Sequence, residues 1–594
     1  MKHYKKALFF ALIFLLFQTA CSAQDQPAST AGAPQGAAGQ DSINSAEASA
    51  SVSSLEASKS SPAINSTVDS YPVYSAPFTP SISLTKKELQ DYASVHSCFY
   101  NPAHGTLNLT LSLPCLPESD DQKIYLFAIE LYDEDPDFSS LKPLTSTAKA
   151  AFCLLECPFE EALLYQEFVP AVLLNGSYVP LASGICINNP DALAGNQHDY
   201  PEYDTKKGLL LDPVLLGTPL LTELGVKHAI YNIPLSLIMG ETTDEAFPTI
   251  TYEFRGNTYY FNGAVIDSYD NLFTYLSNIG MISTAIVLND WDDSNPDMIH
   301  PLARNRKSGA YYYAFNTAEE EGCQHLEAIA SFLAKRYSNG KHGLVSGWVI
   351  ANEINQSSIW NYMDTKDLDY YAAEFEKSLR IFYNAVKSNY AGARVYFSID
   401  HDWNSNPDHK KKYFNSKELL AAVNKAALKR GNYDWNVAIH PYPEPLTRVN
   451  FWSESNDKSE AASTLTMMNL NVITDFLGQE EFLDTHGNMR HLSVTELGFS
   501  STSGEKLQAA AFAYCYYILD ANPYIDTFFM NRQTDASVEV KQGLAFGLYE
   551  YDHSDKFITD VFKYIDTDKA KDYTDFMLNI LNADSLEEAL SWAQ

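Results

Sequence analysis

Between residues 106 and 114 the chain reads TLNLTLSLP, so that Leu107, Leu109, Leu111 and Leu113 alternate with polar positions. A period of two is that of a half-buried strand. Two further short apolar runs follow, KIYLFAIELY (123–132) and EFVPAVLLNGSYVPLAS (167–183), and the NGS inside the second marks a hairpin turn. Residues 81–204 are therefore predicted to form a β-sandwich-like domain.

From residue 205 the pattern changes to longer units. Near-continuously apolar runs recur: GVKHAIYNIPL, ISTAIVLNDW, GLVSGWVIANE, ARVYFSIDHDW, WNVAIHPYP, RHLSVTELGFS and IDTFFMN. Helices are predicted between them: one capped by Ser268 and stopped at Gly280, then 318–337, a stripe from Leu368 to Val386, 416–428, 464–477 and 504–519. Buried strands alternating with helices make a parallel sheet covered by helices. No glycine-rich phosphate loop follows a strand. The α/β class that fits so many units is a (β/α)8 (TIM) barrel over 205–594, its first crossover replaced or decorated by the hairpin TYEFRGNTYYFN (251–262).

Composition bears on partners and on the chain's start. The formal net charge is −34, from 41 basic and 75 acidic residues, which argues against nucleic acid and against docking on anionic lipid. Lys2, Lys5 and Lys6 precede the apolar run ALFFALIFLLF (7–17), and QTAC then ends at Cys21. Residues 1–21 resemble a bacterial lipoprotein signal peptide, which implies lipidation of Cys21. Plain secretion after Ala23 is the alternative. Residues 22–80, rich in Ala, Ser, Gly and Gln, read as a flexible tether. The expectation is a surface or extracellular monomer that meets the membrane only through a lipid at Cys21. The remaining cysteines, Cys98, Cys115, Cys153, Cys157, Cys186, Cys323 and Cys515, are odd in number, so at least one is unpaired, and one or two bridges stay open. Cys153 and Cys157 lack a second pair, so neither zinc nor any other cofactor is expected.

Candidate chemistry lies where the barrel strands end. The successive ends offer Asn232; Asn289, Asp290 and Trp291; Asn352 and Glu353; Asp400 and His401 with Trp403; His440 with Tyr442; Thr495 and Glu496; and Asn531. Three βα units separate Glu353 from Glu496, which places them across the barrel mouth. Two facing carboxylates suit glycosidic bond hydrolysis, one protonating the leaving oxygen and the other attacking the anomeric carbon.

This order of residues resembles the large clan of retaining (β/α)8-barrel glycoside hydrolases. The resemblance covers about 205–560 and implies a carbohydrate substrate, Glu353 as acid/base and Glu496 as nucleophile. It further implies that Asn352 holds a sugar 2-hydroxyl and that Tyr442, in His440-x-Tyr442, bonds the nucleophile. More closely, the chain resembles a bacterial group of glycosidase-like proteins of unknown function. Two features depart from the clan. Arg255, in the hairpin, is the one arginine near the second strand, and the eighth strand carries no tryptophan platform, a part left to Trp291, Trp360, Trp403 or Trp452. Two other classes stay open: a barrel that binds surface glycans without catalysis, and a metal-dependent hydrolase using Asp400, His401 and His440.

Overall fold

The computed structural model describes residues 82–305, 309–405, 414–453 and 457–593. The expected signal peptide, Cys21 and the tether lie outside these residues.

Two antiparallel sheets come first. One has three strands, in the order Ser94–Asn101, Thr106–Ser112, Phe152–Pro158. The other has four, in the order Thr145–Ala148, Lys123–Glu130, Gln166–Leu174, Ser177–Pro180. The alternation in the sequence decides which face is inside: Leu107, Leu109 and Leu111 are fully buried. Asn175 (φ 53°) and Gly176 (φ 73°) turn the predicted hairpin, both in the left-handed region that such two-residue turns require. All seven described cysteines are free thiols.

Eight parallel strands then close into a barrel: Lys207–Leu210, His228–Pro234, Ile282–Leu288, Val345–Ile350, Arg394–Asp400, Trp435–His440, Leu492–Leu497 and Ile525–Met530. The sequence pattern shows seven of them. The first strand, KGLL, is four residues long and opens on Lys207, which reads as polar. Yet Lys207 is fully buried, because its Nζ donates to the Phe562 carbonyl at 2.8 Å and to Asp566 at 2.8 Å. Closure against the eighth strand needs Gly208, where a Cβ would stand 2.7 Å from Cδ1 of Phe529. Ile230, Ile286, Val349, Tyr396, Ala438 and Phe529 fill the barrel's inside. The predicted hairpin, Ile250–Phe254 with Asn257–Phe261, leads into the helix Gly263–Asn278.

Two helix predictions need correction. Gly263–Asn278 is capped by Asn262, whose side chain accepts from Ala264 N and Val265 N, while Ser268 sits inside the helix and donates to Ala264 O at 3.0 Å. The helix expected over 464–477 shrinks to Asn471–Leu477. Asn469 Oδ1 accepts from Thr466 N at 2.7 Å and Thr466 Oγ1 from Met468 N at 3.2 Å, local bonds that compete with a helical start.

One apolar core runs without interruption from Cys98, Leu109 and Leu155 of the sheets into the barrel's helices. Ion pairs stitch the same junction. Arg255 binds Glu130 of the four-stranded sheet and, at 2.7 Å, Glu327, and Arg430 binds Glu167 at 2.6 Å. Arg255 is thereby committed to this junction.

Candidate active site

The side chains that meet at the mouth come from the ends of strands four, six, seven and eight. His440 is at the centre. It is 1% exposed, and its Nδ1 lies 2.8 Å from Glu353 Oε1 and 4.0 Å from Glu496 Oε2. The two carboxylates thus approach the same nitrogen, and their nearest oxygens are no further apart than those two lengths combined. The other ring nitrogen, Nε2, is 3.0 Å from Thr495 Oγ1. Tyr442 donates its hydroxyl to Glu496 Oε1 at 3.0 Å. Asn531 Nδ2 donates to the same oxygen at 3.3 Å and to Tyr442 Oη at 3.0 Å.

Strand alternation alone cannot aim both Thr495 and Glu496 inward, since neighbours on a strand face opposite ways. The register between strands seven and eight slips between Val494 and Leu497. Such an irregularity re-aims a side chain, and here it turns Glu496 into the mouth beside Thr495. At strand four the same task falls to the backbone. Ala351 (φ 63°) and Glu353 (φ 36°) adopt left-handed conformations, which cost of order 1–3 kcal/mol each. Non-glycine residues hold such angles when the surroundings over-determine them.

The two carboxylates sit in different surroundings. Glu353 is 8% exposed. Burial, with the charges of Asp400 and Glu496 adding to it, raises its carboxyl to about 7 against the pull of His440. The Glu496 side chain is 28% exposed and accepts two protein hydrogen bonds.

Asn352 is half-buried beside this pair and makes no side-chain hydrogen bond among the described residues. Asn232 shares its strand face with Ile230 of the barrel interior, one layer nearer the rim.

Other expected contacts are spent elsewhere. Asn289 is 1% exposed, and its amide donates to the carbonyls of Met298 at 3.0 Å and Ala314 at 3.2 Å. Its amide nitrogen thus holds a loop. Asp290 accepts from Ser236 N at 3.0 Å and from the Ser236 hydroxyl, tying strand three to strand two. Trp291 is half-buried, with Nε1 on Asp293 at 2.6 Å. Trp403 is fully buried against Phe476 and donates to Glu460 O, so it is core and no sugar platform. Trp452 packs on Phe451 and Tyr514. Both oxygens of Asp400 accept from Asn355 and Gln356. His401 stands 3.5 Å from Glu444; burial opposes its charge, but Glu444, Asp400 and Asp402 outweigh it and raise the ring to about 9. Among the described residues no group of three His, Cys, Asp or Glu is placed to hold a metal ion.

The strand-end pattern passes over Tyr312, while Trp360 is one of the four platform candidates named from the sequence. Tyr312 is 4% exposed, and burial with the charges of Asp290 and Glu496 pushes its hydroxyl well up. Trp360 covers Tyr312 at 5.8 Å and Tyr311 at 5.1 Å between ring centroids. They sit in the loops after strands three and four, where the cue in the sequence is the run YYY at 311–313.

Comparison with solved structures gives similarity at low identity. A family 39 glycoside hydrolase from the gut symbiont Bacteroides cellulosilyticus WH2 is 12% identical with a TM-score of 0.40, covering 79% of this chain and 82% of that one. GH5_18 from Streptomyces cattleya is 11% identical with a TM-score of 0.38, covering 60% and 79%. A β-glucosidase from Thermotoga maritima is 12% identical with a TM-score of 0.36, covering 58% and 84%. No curated protein matches the sequence significantly. A family pattern does match, over residues 199–589, and by it the chain belongs to a family of unknown function, DUF5722.

Proposed function

We propose that this protein is a glycoside hydrolase that cleaves an O-glycosidic bond with retention, with Glu353 as acid/base and Glu496 as nucleophile. The observation that carries the reading is the approach of both carboxylates to one nitrogen, His440 Nδ1, at 2.8 Å and 4.0 Å. Carboxyls about 5–5.5 Å apart suit retention, and about 6.5–9.5 Å suits inversion, where a water must fit between them.

In the first step an oxygen of Glu496 bonds to the anomeric carbon. The glycosidic C–O bond breaks, and the departing oxygen takes the Glu353 proton. In the second, water attacks the anomeric carbon and gives its proton to Glu353, and the bond to Glu496 breaks. A carboxyl raised to about 7 holds the proton that the first step needs. The consistent tautomer has Nδ1–H of His440 donating to Glu353 Oε1 and Thr495 donating to Nε2, which leaves Glu353 Oε2 for the leaving group. Tyr442 and Asn531 orient Glu496. Asn352, which makes no side-chain hydrogen bond among the described residues, is assigned to the sugar 2-hydroxyl.

The substrate is a poly- or oligosaccharide. Export and a lipid anchor at Cys21 complete the proposal, and labelling with a palmitate analogue, lost in Cys21→Ala, checks them. The chemistry is tested on a polysaccharide panel with and without EDTA, alongside Glu353→Gln and Glu496→Gln. Hydrolysis insensitive to EDTA and lost in both variants is expected. Loss on EDTA, or unchanged hydrolysis in both variants, contradicts the assignment. Binding of a glycan without any cleavage identifies a non-catalytic barrel instead.

A further inference from the structure

We infer that Asp400 is a positioning residue for Glu353, and that with Asn355 and Gln356 it forms a clasp holding the turn that carries the carboxylate. The inference rests on the reading of Glu353 as the acid/base. Residues 351–356 leave strand four in a tight turn, with Ala351 at φ 63° and Glu353 at φ 36°. Neither is a glycine, so the turn needs external fixation.

Strand five supplies it at two heights on one face. At the lower, Ser398 Oγ accepts from Glu353 N at 2.8 Å and Ser398 O accepts from Ile354 N at 3.0 Å. At the upper, Asn355 and Asp400 bond each other twice. Asn355 Oδ1 accepts from Asp400 N at 3.0 Å, and Asn355 Nδ2 donates to Asp400 Oδ1. Gln356 Nε2 closes the clasp on Asp400 Oδ2 and reaches Asp402 Oδ2 at 3.3 Å. Gln356 N in turn donates to Glu353 O at 2.8 Å, so the clasp pulls directly on the peptide of the acid/base. Asp400 is 5% exposed, and three protein donors, the third being Asp402 N at 2.9 Å, occupy its oxygens. That is the arrangement of a brace, not of a sugar ligand.

A brace on the acid/base has a kinetic signature that a general stabiliser lacks. Dinitrophenolate leaves without a proton, whereas phenolate needs one. The test compares kcat/KM for 2,4-dinitrophenyl and phenyl glycosides of the sugar that the native enzyme releases from the panel. A 1 Å misplacement costs on the order of 10²-fold, so Asp400→Ala is expected to lower the phenyl value by about that factor. The dinitrophenyl value, which does not depend on the acid, should move by less than about threefold. The exchange Asn355→Asp with Asp400→Asn rebuilds the pair with donor and acceptor reversed. It should recover at least about tenfold on the phenyl glycoside relative to Asp400→Asn alone. Equal losses on both glycosides, or no recovery, overturn the clasp. If the native protein cleaves no glycoside, the proposed function fails on its own, and crystal structures of the native and Asp400→Ala proteins then decide the clasp. It stands if Glu353 leaves its left-handed φ and its 2.8 Å contact with His440 breaks, and it falls if the turn is unchanged. Should Asp400→Ala not fold, the Asp400→Asn crystal structure answers the same question.

Discussion

The end of strand three and the ends of strands four, six and seven look alike in sequence. Each is an apolar body followed by amides and acids. In the structure they do opposite things. Asn289 and Asp290 spend their polar atoms on the Met298 and Ala314 carbonyls and on Ser236. Glu353, His440, Tyr442 and Glu496 spend theirs on one another, through side chains that meet at the mouth. The first set closes loops over the barrel. The second forms a network with unlike environments for its two carboxylates, which is what acid and nucleophile require. A polar strand end is therefore a necessary sign of a site and an insufficient one. The partner's identity, backbone or side chain, separates the two.

The contrast is sharpest in a pair of substitutions. Glu496→Gln should lower kcat by at least about 10⁴-fold with little change in Tm, because it removes the attacking oxygen and leaves the packing intact. Asn289→Ala should do the reverse. Two carbonyls lose their donor, destabilising the fold by about 1–3 kcal/mol, while kcat/KM of the folded fraction stays within about threefold. Thermal denaturation beside steady-state kinetics checks both. A large activity loss in Asn289→Ala would erase the distinction.

A smaller effect is expected at Tyr442→Phe. It removes one donor from Glu496 and should cost about 10- to 100-fold in kcat, with KM nearly unchanged.

The pH dependence comes next. Glu353 is raised from 4.5 to about 7, so the rate should fall as pH rises through about 7 and the acid loses its proton. The same shift sets the sign for stability. The folded state holds the proton more tightly than the unfolded chain, so the contribution is complete below 4.5 and is lost as pH rises through about 7. Glu353→Gln should flatten that slope, a result that chemical denaturation at several pH values reads directly.

Much of this was legible in the sequence. The barrel follows from repeated apolar runs separated by helical stripes, and Glu353, His440, Tyr442 and Glu496 follow from their places at strand ends. The first strand was hidden because Lys207 looks exposed until the Phe562 carbonyl and Asp566 are brought to it from the far end of the chain. Trp403 looks like a platform in the sequence, yet contacts distant along the chain, namely Phe476 and the Glu460 carbonyl, bury it. The sequence leaves Asp400 open between a pocket group, a sugar contact and a simple cap, and its engagement with Asn355 and Gln356 depends on how the turn after strand four folds back. Strand alternation gives the inside face, but it does not report a slip in register or a left-handed turn, and these two features aim Glu496 and Glu353.

The central claim is that Glu496 becomes covalently glycosylated in turnover. Incubation with a 2-deoxy-2-fluoro glycoside of the released sugar, followed by peptide mass spectrometry, tests it most directly. The expected result is a single glycosyl adduct on the peptide containing Leu492–Leu497, at Glu496, absent in Glu496→Gln. An adduct on another residue, or continued turnover of the probe with no adduct and inverted product, would contradict the account.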